Sequence, residues 1–332
     1  MDDRRVTHPR SFDFVEEALR THHRLVRRLK NLVLGREFKG GCELNVPVNK
    51  FLEFAPPGHF YSPIPDPAEI DRRRRELFST SPENLPGIDL QVEKQLALLE
   101  RIAHLSEEFP YGAAKNIGRL KQSYRYTLDN QFFIEPDAFT LYSFIRCFQP
   151  KRIVEIGSGY SSALILDTIE EFLDYSPDLI FVEPHADRLK KLLRSEDAGS
   201  VGIREMTAQS LPITEFARLS ASDILFIDSS HVGKCGSDVL HLLFDVLPRL
   251  SPGVLIHVHD MFWPFEYPES WYHEGRCWNE AYLIRAMLMF NSAFEMLFWP
   301  SLLEARHPAE LRNVVQYGTS AGGSLWLRRA QA

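Results

Sequence analysis

The stretch Val154-Glu155-Ile156-Gly157-Ser158-Gly159-Tyr160-Ser161-Ser162 constrains the fold of this chain more than any other. A β-branched apolar run leads into two glycines one residue apart, and a helical pattern leads out of them. Glycines in that setting close a tight strand-to-helix turn and let a ligand approach the backbone. The rhythm repeats from Lys151 onward. Short apolar runs at 152–156, 179–183, 202–206, 224–228 and 254–259 predict strands, and helical periodicity at 161–173, 186–193, 214–219, 237–250 and 279–290 fills the intervals. Two later runs, 294–299 and 324–328, bring the count to seven strands. The pattern predicts an α/β fold with a Rossmann-like, mostly parallel sheet over residues 131–332. Residues 1–130 read as a helical and irregular extension, a possible lid or oligomer contact.

That extension has its own pattern. Val15, Leu19, Val26, Leu29 and Val33 recur at helical spacing over 12–34, with Gly35 as a C-cap. Arg20, Arg24, Arg27, Arg28 and Lys30 make the polar side basic. Such a face suits an anionic membrane surface, or it is simply solvated while the helix docks on the body or on a second subunit. The proline-rich run 55–67 predicts an extended segment whose Phe60 and Tyr61 either fold over a cleft or pin a linker. Residues 89–109 predict another helix. The 38 Lys and Arg against 45 Asp and Glu give a net charge of −7, which argues against a general affinity for nucleic acid. Cys42, Cys147, Cys235 and Cys277 have no metal-finger or disulfide-framework spacing. The first residues carry no secretory pattern, and no apolar run reaches membrane-spanning length, so the expected location is cytoplasmic.

Ligands of open α/β sheets bind beyond the C-terminal ends of the strands, so those positions are the candidate site. Glu155, two residues before the first glycine, suits a ligand with an ammonium group and would repel a pyrophosphate. Glu183 ends the second strand, where a carboxylate accepts hydrogen bonds from ribose hydroxyls. Gln209 or Ser210, after the third, can meet an adenine edge. Read as a dinucleotide fingerprint, the loop has Ser162 in place of the third glycine. Asp228 and His231 follow the fourth strand; His259 and Asp260 follow the fifth. His257, mid-strand, reads as a satisfied core residue. The run 261–273 is dense in aromatic and acidic side chains. It suits a polyhydroxylated acceptor, or equally a hydrophobic cover or a subunit contact. Tyr124, Arg125, Tyr126, Asp129 and Asn130 are candidates to cap the same cleft.

Over residues 130–332 the chain resembles the class I S-adenosylmethionine-dependent methyltransferases. Glu155-Ile156-Gly157-Ser158-Gly159 is similar to their first motif, with Ser161 at the usual third-glycine position, and Glu183 to their acidic second-strand end. The closing strand pair resembles their antiparallel last strand. Phe226-Ile227-Asp228-Ser229-Ser230-His231 and His257-Val258-His259-Asp260 resemble the small-molecule O-methyltransferase branch related to catechol, macrolide-sugar and cephalosporin-tailoring enzymes. The resemblance implies S-adenosylmethionine held by Glu155, Gly157, Ser158, Gly159, Ser161, Glu183, Gln209 and Asp228. It also implies Mg²⁺ in some members at the positions of Asp228 and Asp260.

A hydroxyl attacks a methyl sulfonium only when aligned with it and relieved of its proton. Either His231 or His259 is the base, oriented by Asp228 or Asp260, or the two aspartates hold a divalent cation that acidifies the hydroxyl. Oxygen-rich ligation favours Mg²⁺, and added histidine a softer metal. The expected activity is methyl transfer to a hydroxyl of a sugar, glycan or glycosylated small molecule. The alternatives are an NAD-dependent oxidoreductase and a non-catalytic nucleotide-binding module.

Overall fold

The computed structural model describes residues 53–78, 82–111, 124–197 and 201–331. The chain divides into two units, Met1–Ser62 and Pro63–Ala332. The basic helix expected over 12–34 lies outside the described residues. Within residues 53–62, the part of the proline-rich run in the first unit is turned rather than extended. His59 N donates to Pro56 O at 2.9 Å and Ser62 N to His59 O at 2.7 Å. Among the described residues no helix is long and apolar enough to cross a membrane.

The larger unit opens with α1 (Pro67–Phe78), α2 (Val92–Ala103) and α3 (Glu135–Phe148). The alternation then begins: β1 (Arg152–Ile156), α4 (Tyr160–Phe172), β2 (Asp178–Val182), α5 (Asp187–Leu192), β3 (Gly202–Arg204), α6 (Ile213–Ala217), β4 (Ile224–Ile227), α7 (Asp238–His241) and β5 (Leu255–Val258). After it come α8 (Glu269–His273), α9 (Glu280–Leu288), β6 (Phe294–Phe298), α10 (Pro300–Arg306), α11 (Pro308–Arg312) and β7 (Leu325–Arg329). The helix expected over 237–250 changes form along its length. It widens to π-turns over Leu242–Val246 and tightens to a 3₁₀ turn over Leu247–Arg249, where Pro248 offers no N–H to an α-ladder.

The seven strands lie in the order β3-β2-β1-β4-β5-β7-β6. β7 runs antiparallel to both β5 and β6, and the other pairings are parallel. A dinucleotide-binding sheet of order 3-2-1-4-5-6 has no such reversed insertion. Period-two alternation splits the core between the two faces. Val154, Ile156, Val182, Leu225, Ile227, Ile256 and Val258 pack on one side. Ile153, Phe181, Ile224, Phe226, Leu255 and Trp326 pack on the other. The same register places Glu155 opposite Phe226, Phe226 opposite His257, and His257 opposite Trp326. Two polar side chains thus enter an otherwise apolar row.

The second core also takes in Leu98, Leu99 and Ile102 of α2 and Phe139, Tyr142, Phe144 and Ile145 of α3. Segments on either side of residue 130 therefore pack on one face of the sheet. Each such side chain contributes about 1.5–3 kcal/mol when fully buried. The segment at 124–130 is tied down by charge. Buried Arg125 meets Asp167 at 2.8 Å, Asp197 at 2.5 Å and Glu170 at 2.8 Å. The backbone N–H groups of Arg125 and Tyr126 also donate to Asp167. Arg125 and Tyr126 are thus structural: a buried guanidinium needs its carboxylates, and neither side chain is free to cap a cleft.

Candidate active site

The glycine loop is fixed by its neighbours on both sides. Gly157 N donates to Val182 O at 2.9 Å, and Asp228 N donates to Ile156 O at 2.8 Å. Gly157 has φ +85°, and a Cβ there would stand 1.9 Å from Asp228 O. Glycine is required on both counts. Ser162 accepts from Gly159 N at 3.0 Å and donates to Glu155 Oε2. Glu155 Oε1 and Ser158 Oγ are buried without a hydrogen-bond partner. Burial, reinforced by the charges of Asp228 and Glu183 against the pull of the Ser161 and Ser162 hydroxyls, pushes the Glu155 carboxyl up to about 8.

Gly157, Glu183, Gln209 and Asp228 line one cavity of about 290 Å³ at the ends of β1, β2 and β4. Glu183 Oε1 accepts from His185 N at 2.8 Å, and Gln209 Nε2 donates to Gly236 O at 2.7 Å. Each side chain is held by one such bond, with further acceptor capacity to spare. Glu155, Ser158 and Ser161 stand in and behind the loop that forms the cavity's wall, all buried.

The second group converges as its strand-end positions require. One ligating atom from each of Asp228, His231 and Asp260 lies within 4.8 Å of the others. His231 Nε2 stands 3.2 Å from Asp228 Oδ1 and 3.5 Å from Asp260 Oδ2. Its Nδ1 stands 2.9 Å from Glu280 Oε2, and Ser229 Oγ donates to Glu280 Oε1 at 2.9 Å. Burial disfavours the imidazolium, but hydrogen bonds to Asp228 and Glu280 overcome it and the His231 pKa rises to about 10. Partial burial would likewise raise Asp228; His259, His231 and Arg188 outweigh it and hold that carboxyl below its ordinary value. Burial does prevail at Asp260, which is raised against the pull of His259 and His231.

His231 (φ +59°) and Asp260 (φ +58°) both sit in the left-handed region, uncommon for side chains of their size. The backbone around them is held accordingly. The N–H groups of Asn279 and Glu280 donate to His231 O at 3.1 and 3.2 Å, and Met261 N donates to Gly323 O at 2.9 Å. Gly323 N in turn donates to buried Asp137 of α3 at 3.0 Å. His259 Nε2 is 3.7 Å from Asp260 Oδ1, and its Nδ1 is 3.4 Å from His257 Nε2. Burial, with His259 beside it, keeps His257 well below the ordinary imidazole value. His259 is raised, because Asp260, Asp228 and Asp137 outweigh its burial. His257 is not the fully satisfied core residue its position suggests. Its Nδ1 has no partner, and its ring stacks on Phe226 at 4.0 Å.

Glu280 was not among the residues singled out from sequence. It is the first-turn acid of α9, 49 positions from His231, and its only local signal is an acidic side chain at a helix start. The aromatic run after Asp260 forms a cover. Met261, Phe265 and Tyr267 are buried, and Trp271, partly buried, packs against the same core. Trp278 stacks on the His231 ring at 4.2 Å.

Residues 154–261 match the family described as a methyltransferase domain, Methyltransf_24. An uncharacterized protein from Archaeoglobus fulgidus is 36% identical over 171 residues, which are 51% of this chain and 73% of that protein. Among solved structures, the SAH-bound methyltransferase PaMTH1 from Podospora anserina aligns at 16% identity. That alignment covers 80% of this chain and 97% of the other, with a TM-score of 0.40. A methyltransferase from Geobacter sulfurreducens aligns at 17% identity over 80% of this chain and 98% of its own, with a TM-score of 0.33.

Proposed function

We propose that the chain is a class I S-adenosylmethionine-dependent methyltransferase and that it methylates a hydroxyl of a sugar, glycan or glycosylated small molecule; the match of residues 154–261 to a methyltransferase domain supports the first part. The observation that carries the reading is the convergence of Asp228, His231 and Asp260 within 4.8 Å beside the glycine-loop cavity.

The residues present fit the cofactor. Glu155 Oε1 and Ser158 Oγ are buried polar atoms in want of a partner, and Gly157, Glu183, Gln209 and Asp228 line the cavity beside them. Glu155 and Asp228 would take its ammonium group, Glu183 its ribose hydroxyls, and Gln209 its adenine edge. When bound, the cofactor supplies an electrophilic methyl group on a sulfonium.

The chain's own work is to place the acceptor oxygen and remove its proton. Neither histidine has a ring nitrogen to spare. His231 is committed at Nδ1 to Glu280 and at Nε2 to the two aspartates. His259 faces His257 and Asp260 and is buried. We therefore assign the base to Asp260, whose side chain is 18% exposed, and an orienting role to His231. A positioned base of this kind contributes about 10²–10⁴ in rate. The half-buried Trp271 and Trp278 meet edge to face, with centroids 5.1 Å apart, and add aromatic surface beside His231 that suits a sugar ring.

A second reading has its own support. The same three side chains offer two carboxylates and an imidazole at a spacing that suits a divalent cation, and oxygen donors favour Mg²⁺. Asp228 and Asp260 would hold it, and it would lower the hydroxyl pKa.

The test is turnover with S-adenosylmethionine over a panel of glycosides, phenols, amines and carbon acceptors, followed by S-adenosylhomocysteine release, with the methylated atom located by NMR. Methylation of a sugar hydroxyl is expected. Turnover confined to amine or carbon acceptors would sink the O-methyl reading. Activity that survives EDTA would remove the metal.

A further inference from the structure

The glycine loop carries a three-part stack that the functions assigned above leave unused. Asn130 Oδ1 accepts from the N–H groups of Phe132 and Phe133 at 3.0 and 2.7 Å. That turn presents the Phe132 ring 50% exposed. The ring lies nearly parallel to Tyr160, with centroids 6.0 Å apart, and the Arg188 guanidinium lies over it at 4.0 Å. Tyr160 directly follows Gly159. The Arg188 side chain runs across that glycine, where a Cβ would stand 3.2 Å from Arg188 Cδ and 3.9 Å from Nη1.

Stacking fixes the plane of a guanidinium and leaves its edge of N–H donors open, the geometry that receives a carboxylate on two parallel bonds. Among the described residues no carboxylate forms an ion pair with Arg188, although its charge reaches Asp228. Facing the loop are three acids, Glu155, Glu183 and Asp228. An amino-acid zwitterion needs acids for its ammonium and a cation for its carboxylate. The unpartnered Glu155 Oε1 and Ser158 Oγ on the same loop mark where the polar end of a ligand belongs.

We propose that Arg188, held over Gly159 by Phe132 and Tyr160, binds the carboxylate of the amino-acid end of the S-adenosyl ligand. The proposal rests on the cofactor reading above. Its test is calorimetric titration of the wild-type protein, Arg188→Ala and Phe132→Leu with two probes, S-adenosylhomocysteine and 5′-methylthioadenosine. The second has the adenosine and sulfur of the first but no amino acid.

Arg188→Ala should weaken S-adenosylhomocysteine by about 10- to 100-fold, as expected for a lost charge-assisted pair, and leave 5′-methylthioadenosine within about twofold. Phe132→Leu should weaken S-adenosylhomocysteine alone, by about threefold, because the guanidinium loses its platform. Unchanged S-adenosylhomocysteine binding in Arg188→Ala, or an equal loss for both probes, would overturn the proposal. Failure of the wild-type protein to bind S-adenosylhomocysteine would instead strike the cofactor reading beneath it.

Discussion

Glu155 and Asp228 stand at the ends of neighbouring strands, β1 and β4, yet their carboxyls are shifted in opposite directions. Glu155 is sealed beside Ser161 and Ser162, opposite Phe181 and Phe226 in the sheet, with one oxygen unpartnered, and its carboxyl is pushed up to about 8. Asp228 is 35% exposed on its side chain, has His231 at 3.2 Å, and is held below its ordinary value. Residue type and strand position are nearly the same. What differs is exposure, and whether a cation is already present. The histidine side of the site arrives with its own positive charge, whereas the glycine-loop side holds a neutral acid that ionises favourably once a cation is delivered. On the proposed function, the two halves serve different partners: the cationic ligand on the glycine-loop side of Asp228, the acceptor hydroxyl on the histidine side.

The largest expected effect comes from filling the space between the halves. Gly157→Ala would drive a methyl into Asp228 O at a positive φ and should abolish measurable S-adenosylhomocysteine binding, with a loss of about 3 kcal/mol or more in denaturant unfolding. Next, Asp260→Asn should lower kcat by about 10²–10⁴, with cofactor affinity kept within about twofold, whereas Asp228→Asn should lose both. Equal effects of the two substitutions on cofactor affinity would erase the division between the halves.

A smaller effect is the pH dependence of the ligand-free protein. Glu155 is protonated in folded and unfolded chains at low pH. As pH rises past the ordinary glutamate value, only the unfolded chain ionises, so its contribution to stability declines until about pH 8. Thermal midpoints from pH 5 to 9 should therefore fall less steeply in Glu155→Gln. A steeper fall in the variant would show that Glu155 is already charged. The smallest change is Glu280→Gln, which keeps an acceptor near His231 Nδ1 but removes the charge. It should cost about tenfold in kcat with cofactor affinity unchanged, and Glu280→Ala should cost more.

What the sequence made legible was local. The strand at 152–156, the two glycines and the acid before them occupy consecutive positions, so one short pattern carries geometry and chemistry together. α3 was illegible for a physical reason. Ala138 to Ile145 are all buried, so no polar face breaks the run into a helical period. Glu280 was illegible because its meaning comes from His231, brought to it by a loop that no short-range pattern encodes. Arg125 was misread because an arginine beside tyrosines gives no sign of the three carboxylates that the fold supplies from 42 to 72 residues away. The strand-end cluster needed only topology, and the order of β1, β4 and β5 delivered it.

The place of β7 in the sheet has a consequence for how the site comes into being. It is made after every other strand, yet it inserts between β5 and β6. The turn before it supplies Gly323, which joins Met261 beside Asp260 to Asp137 of α3. While the ribosome is still adding residues 261–321, β5 has an open edge and the backbone at Asp260 lacks its clasp. Synthesis order therefore works as a timer on competence. The Gly323 clasp beside Asp260 cannot form before residues 322–329 have emerged, whereas the glycine loop draws its own backbone bonds from β2 and β4. Arrested chains of increasing length should accordingly gain S-adenosylhomocysteine binding before they gain turnover.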